Sequence, residues 1–169
     1  GLVNSYKVLF RNVNSNLENS TRYENSNNHH LLSTVLFESK YPLQRQNNKN
    51  KSTLTPIMSA RYSPNNSKNI KNLGRRISYD NVYSLDRLGE KDMVEGGLSL
   101  TLGSEYAYLS NNNEEIVNFS IANVLRNSED HDLPDKSTLG NTRSDIFGLL
   151  KYKPSSFFDL EYEFSLDKN

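Results

Sequence analysis

From Met93 to Leu109 polar and apolar residues alternate with a period of two. Leu98, Leu100, Leu102, Tyr106 and Tyr108 share one parity with Ser104, and Glu95, Gly97, Ser99, Thr101, Gly103, Glu105 and Ala107 share the other. Successive side chains of a strand point to opposite faces, so this run predicts a strand with one apolar and one polar face. Strands of soluble sheets commonly run about 5–6 residues. This run is closer to the ~9–11 residues that a tilted strand needs to cross a bilayer.

Six more segments alternate in the same way: 4–10, 30–41, 52–62, 115–126, 144–153 and 157–167. The last is the most regular. Phe158, Leu160, Tyr162, Phe164 and Leu166 oppose Asp159, Glu161, Glu163, Ser165 and Asp167. No stretch has a competing 3.6-residue period, so the chain reads as all-β with seven strands. The connections follow a rhythm: Arg11 to His29 is long, Pro42 to Lys51 shorter, Ser63 to Asp92 longest, Ser110 to Glu114 tight, Asn127 to Arg143 long, and Pro154 to Ser156 tight. An antiparallel up-and-down meander places alternate connections at opposite ends. Short turns on one side and long loops on the other are the habit of outer-membrane barrels, whereas Greek-key sandwiches do not impose it.

Composition narrows the function classes. Twenty basic and twenty acidic residues among 169 leave no net charge, so the basic excess of a nucleic-acid binder is missing. Hydrophobic residues make up 34 % and mean hydropathy is −0.76, values compatible with disorder. The 10 Tyr and 7 Phe, and the gathering of apolar residues into alternating runs, argue for a folded sheet instead. There is no cysteine, hence no disulfide and no thiolate metal site. His29, His30 and His131 lack the spacing of a metal triad and read as solvated loop residues. No nucleophile–base pair, metal set or phosphate loop stands out, so an enzyme is not expected and no cofactor is implied.

The chain starts at Gly1 without a charged leader and apolar core, and has no apolar run of ~18 residues. Both ends fall in or beside strands, as expected of a piece cut from a longer protein. Seven strands cannot close a barrel of even strand number, which agrees. Tyr41, Tyr62, Tyr108, Tyr152 and Phe157 sit beside the connections, where interfacial aromatic girdles are found. Pro56 reads as a residue near a strand start, and Gly96–Gly97 as a bulge or the way in from the long loop.

Several motifs come in a fixed order: Tyr41–Pro42, Thr53 to Ile57 (TLTPI), Ser63 to Ser67 (SPNNS), Tyr79 to Gly97 (YDN…YSLDRLGEKDMVEGG), Arg143 to Gly148 (RSDIFG), and Leu160 to Asp167 (LEYEFSLD). This succession resembles the C-terminal barrel of the LPS-assembly outer-membrane proteins, the LptD/OstA family, from about Leu31 onward. Arg87-Leu88-Gly89 and Asp92 to Gly97 fill the family's approach to the next strand, with Leu88 and Met93 where an aromatic and a second arginine are usual. The resemblance implies a large barrel in the bacterial outer membrane that takes lipopolysaccharide from periplasmic bridge proteins and places it in the outer leaflet, around a lipoprotein plug of the LptE kind.

On this reading residues 1–169 are one partial barrel domain, part of a large transmembrane outer-membrane β-barrel. Leu98, Leu100, Leu102, Phe158, Leu160, Tyr162, Phe164 and Leu166 would face lipid. Glu95, Ser99, Thr101, Glu105, Asp159, Glu161 and Glu163 would face water or the plug. An arginine at Leu100 is then expected to cost roughly 2–4 kcal/mol, and one at Thr101 little. Two alternatives stay open at this point: another outer-membrane barrel of the porin or siderophore-transporter kind, and a soluble β-sandwich adhesin or carbohydrate-binding module.

Overall fold

The computed structural model describes residues 1–17, 26–47, 50–65, 67–72, 74–134, 136 and 138–167, with the side chains of 15–17 and 26–28 excepted. It is an all-β antiparallel meander. Eight strands form one sheet: β1 (Val3–Leu17), β2 (Ser26–Lys40), β3 (Leu43–Asn47), β4 (Asn50–Ser63), β5 (Gly97–Leu109), β6 (Glu115–Arg126), β7 (Arg143–Ser155) and β8 (Phe158–Leu166). Their order across the sheet is β1-β2-β4-β5-β6-β7-β8, with β3 against β4.

The eighth strand arises at Tyr41–Pro42. β2 pairs with β4 as far as Lys40 opposite Ile57, and β3 resumes the same register with Leu43 opposite Leu54. β2 and β3 are therefore one strand broken at two residues. The break faces Pro56, which lies mid-strand in a central position and not near a strand start as its sequence context suggested. One ladder bond survives there, from the Tyr41 N–H to the Pro56 carbonyl at 3.1 Å. Pro56 has no N–H to return a second. Placing two prolines at neighbouring rungs confines the damage to one place in the ladder.

The polar connections are shorter than their sequence implied. Much of Arg11 to His29 is ladder, since β1 pairs with β2 up to Leu17 opposite Ser26. Residues 18–25 lie outside the described residues. Most of Pro42 to Lys51 is β3 and the start of β4. Backbone pairing does not require an apolar face, so Asn- and Ser-rich strand ends escape a search for alternation. Among the described connections the rhythm holds: 64–96 and 127–142 lie at one end of the meander, and 110–114 and 156–157 at the other.

The two faces of the sheet differ in kind. One is open and apolar: Tyr6, Val8, Met58, Leu102, Leu160 and Tyr162 are all exposed on it. Phe37 stacks beside Tyr6 at 5.0 Å, and Phe164 lies over Gly148, directly opposite it in the register, where no side chain competes for the space. The other face is covered by the chain's own 64–96 and 127–142 segments, which fold back over the sheet. The core sits there. Ala122 and Val124 of β6 and Phe147 and Leu149 of β7 pack under Ile70, Ile77, Val82, Leu88 and Met93 of the first segment and Leu133 and Leu139 of the second.

Asn65, from the SPNNS motif, starts the first fold-back. Its side-chain amide donates to the Leu31 carbonyl (3.0 Å) and accepts from the Ser33 N–H (2.8 Å), replacing a strand residue along the edge of β2 where β4 has ended. Asn65→Ala removes both bonds. At roughly 0.5–1.5 kcal/mol each the expected loss is about 1–3 kcal/mol, read by denaturant titration.

Candidate functional site

The segment 64–96 is held down by charge as well as by grease. Arg61 reaches the covered face from β4, Arg126 from the end of β6, and Arg87 from the segment itself; all three converge on the carboxylate of Glu95. Arg87 grips it with both arms, Nε to Oε2 at 2.9 Å and Nη2 to Oε1 at 2.7 Å. Arg126 donates to the same Oε1 through Nη1 and to the Gly96 carbonyl through Nη2 at 2.9 Å. Arg61 stands back, with Nη1 3.7 Å from Oε2, and its Nε donates to the Leu85 carbonyl at 2.9 Å. Every one of these side chains is at most 2 % exposed. Arg87 also donates to Ser99 (2.7 Å) and Thr101 (3.3 Å) on β5.

Burial alone would raise the pKa of Glu95. The guanidiniums of Arg87, Arg61 and Arg126 outweigh it and hold the carboxyl below its ordinary range. The Tyr79 and Tyr83 hydroxyls are pushed up, first by burial. Tyr79 donates to Glu105 at 2.8 Å, and the Tyr83 hydroxyl fills the space that a side chain on Gly103 would need.

Further bonds tie the two fold-back segments together. Ser67 donates to Asp130 at 2.7 Å and accepts from the Gly96 N–H at 3.0 Å, and the Ile70 N–H reaches the Asp132 carbonyl at 2.8 Å. Asp130 in turn lies 3.5 Å from Arg126. On the β1 side, Arg11 pairs with Asp86 at 2.9 Å and donates to the Glu90 carbonyl. Thr138 of the second segment and Asp145 of β7 bond one another, and Ser165 of β8 donates to Asp145 at 3.0 Å.

The glycine pair before β5 now has its reason. Gly97 has a φ of +82°, which ends the strand and turns the chain onto the covered face. A Cβ on Gly96 would lie 2.1 Å from the Asn65 carbonyl oxygen, a backbone atom with nowhere to go. Gly96→Ala is expected to cost about 1–3 kcal/mol, the usual range for overpacking, and to loosen segment 64–96. Faster proteolysis within it would register the effect. β5 therefore begins at Gly97, and the run Met93 to Gly96 is not strand but buried connection.

The residues singled out in the sequence separate into groups. Leu98 (47 %), Leu102 (43 %), Phe158, Leu160, Tyr162 and Leu166 are exposed on the open face, with Leu100 and Phe164 partly covered. Asp159, Glu161 and Glu163 are exposed on the opposite face of β8, beyond the reach of the segments, where Lys153 and Lys151 pair with the first two at 3.5 and 3.3 Å. Glu105 is partly covered. Ser99 and Thr101 are buried against Arg87 of the chain's own segment 64–96, and Glu95 lies on that segment, buried as well. The expectation that Thr101→Arg costs little is overturned: Thr101 is 2 % exposed and already touches Arg87. Tyr62, Tyr152 and Phe157 are exposed beside the connections, whereas Tyr41 is exposed inside the ladder, at the break between β2 and β3.

Sequence reasoning missed Arg61, Arg87 and Arg126 as one group. All three lay in quoted stretches, on the polar parity of the third strand, in the approach motif and at the end of the fifth strand. Their convergence depends on long-range register. A local signal did exist for the inner core: β6 and β7 carry apolar residues on both parities, the pattern of strands buried on two sides.

A search of curated proteins finds no match for the chain. A family model described as LptD, LPS transport system D, matches residues 6–169. The match takes in the meander from Tyr6 of β1 through β8, including the Arg87–Glu95–Gly96 stretch that locks the covered face, and the chain belongs to the LptD family of the LPS transport system.

Proposed function

We propose that this sheet is a stretch of outer-membrane barrel wall, working in the insertion of lipopolysaccharide into the outer leaflet. Family membership ties the chain to LPS transport. One observation carries the finer reading: the sheet is inside-out for a soluble fold. Its regular apolar face is open, and its core lies on the polar face under its own connections. In a barrel, the open face meets acyl chains and the covered face lines the bore. Segments 64–96 and 127–142 then fill the bore from the end of the long connections, the extracellular end. Asp159, Glu161 and Glu163 face water or a lipoprotein plug. Periplasmic bridge proteins would deliver the lipid. The wall needs no covalent chemistry, only an apolar exterior and a hydrophilic interior.

Spin labels on introduced cysteines test the facing, since this stretch has none of its own. In full-length protein in liposomes, labels at Leu102 and Leu160 are expected to collide with dissolved oxygen more than with an aqueous nickel chelate, and labels at Glu161 and Glu163 the reverse. Equal behaviour at both sets would end the barrel-wall reading.

A further inference from the structure

We propose that Arg61, Arg87 and Arg126 form a binding site for the phosphate groups of an anionic glycolipid, and that the chain's own Glu95 occupies it in this structure. The inference rests on the barrel reading and names the part of the carried lipid that this site would take.

Three guanidiniums from three separate elements meet at one carboxylate, and all are buried. One negative charge against three positive leaves the group two charges short. Asp130, beside Arg126, supplies one from a partly exposed position. The remaining excess sits on Arg61. Both oxygens of Glu95 are already engaged by Arg87 and Arg126. Nη1 and Nη2 of Arg61 have no hydrogen-bond partner among the described residues, although the side chain is 2 % exposed. Buried donors are normally satisfied, so this guanidinium is set for an acceptor that a carboxylate cannot supply.

A phosphate group fits the shortfall better. It carries about −1.5 to −2 charges near neutral pH and three acceptor oxygens, and guanidiniums pair with it through two parallel bonds. Ser99 and Thr101 line the same spot and already accept from Arg87. Glu95 can leave because it lies on the fold-back segment and not on a strand, two residues before the left-handed turn at Gly97. Phosphate binding and release of Glu95 are therefore coupled: an anion that takes the triad frees the Met93–Gly96 stretch while Arg87 stays in place, and so opens the chain around Lys91.

The test is trypsin cleavage within residues 64–96, followed by fragment mass in full-length protein in detergent. Inorganic pyrophosphate is added at ionic strength held constant with sodium chloride. The rate is expected to rise saturably, about five-fold or more, the scale of ordinary coupling between sites. Arg61→Met is expected to remove the rise. Because it deletes the charge that lacks a hydrogen-bonded counter-ion, the fold is expected to survive it. Arg61→Lys keeps the charge without the planar fork and is expected to keep only part of the response. A rise no greater than with chloride alone, or one that persists unchanged in Arg61→Met, overturns the site. Two further arms identify the source. Lipopolysaccharide is expected to act where its dephosphorylated form does not; a response to pyrophosphate but not to lipopolysaccharide overturns the glycolipid assignment. None of these readings depends on insertion into a bilayer, so failure here leaves the facing experiment intact.

Discussion

Glu95→Gln is expected to destabilise the protein by about 3–5 kcal/mol, the cost of removing one partner from a buried ion pair. The magnitude follows from what is left behind. Arg87 and Arg126 lose their hydrogen-bonded carboxylate, Arg61 loses its nearest counter-charge, and all three stay buried. A glutamine retains the shape and one acceptor oxygen but no charge. The pH dependence has a definite sign. The carboxyl of Glu95 is held below its ordinary value of 4.5. A depressed folded-state pKa contributes stability that is present above the unfolded value and lost as pH falls through the folded one. Wild-type stability is thus expected to be flat on this account above about pH 5 and to decline below 4.5, a decline that the Gln variant lacks in part. Urea unfolding of protein refolded into vesicles, from pH 7 to pH 3, measures both. A variant as stable as wild type at pH 7 would show that the carboxylate does not hold the segment down.

The meander was legible because each strand has two different faces and the connections alternate in length. Both are local properties. The side of the sheet that each strand residue takes also followed from parity alone, down to Leu102 and Glu163. What parity could not supply was the fate of the long connections. Ile70, Ile77, Val82, Leu88 and Met93 recur at no fixed period, because an irregular segment packs wherever the sheet offers an apolar patch. Read singly they are scattered residues in a polar loop; beside Val124, Phe147 and Leu149 they are a core. The guanidinium cluster was hidden for a related reason. Glu95 and Arg87 lie eight residues apart, but Arg61 and Arg126 reach them only through the register of β4 and β6 with β5. What erred was the strand end at Tyr41–Pro42, where prolines at neighbouring rungs broke the ladder without ending the pairing. The Asn-rich ends of β1 and β2 were underestimated because their ladder is all backbone.

The second large effect concerns the open face. Leu102→Arg is expected to cost about 2–4 kcal/mol in a bilayer, the range for a cation on the lipid side near mid-depth. Glu163→Arg, on the other face of β8, is expected to stay within about 0.5 kcal/mol, as an ordinary surface change does. Leu102 is the better position than Leu100, because it is more exposed, lies near the middle of β5 and stands beside Met58 on an apolar surface. Glu163 replaces Thr101 as the comparison because Thr101 is sealed under Arg87. An arginine there would be forced against Arg87, so a large loss would say nothing about lipid. The solvent separates the explanations. If Leu102 contributes only by packing within the sheet, its replacement costs the same in detergent as in a bilayer, and Leu102→Asn costs as much as Leu102→Arg. If it faces acyl chains, the penalty grows with the thickness of the hydrocarbon around it and shrinks for an arginine placed at Leu98 or Tyr106, nearer the ends of the strand, where the side chain can reach the headgroups. Folding yields of the five variants in vesicles of two chain lengths decide it: a penalty independent of both depth and thickness would place the open face against protein instead of lipid.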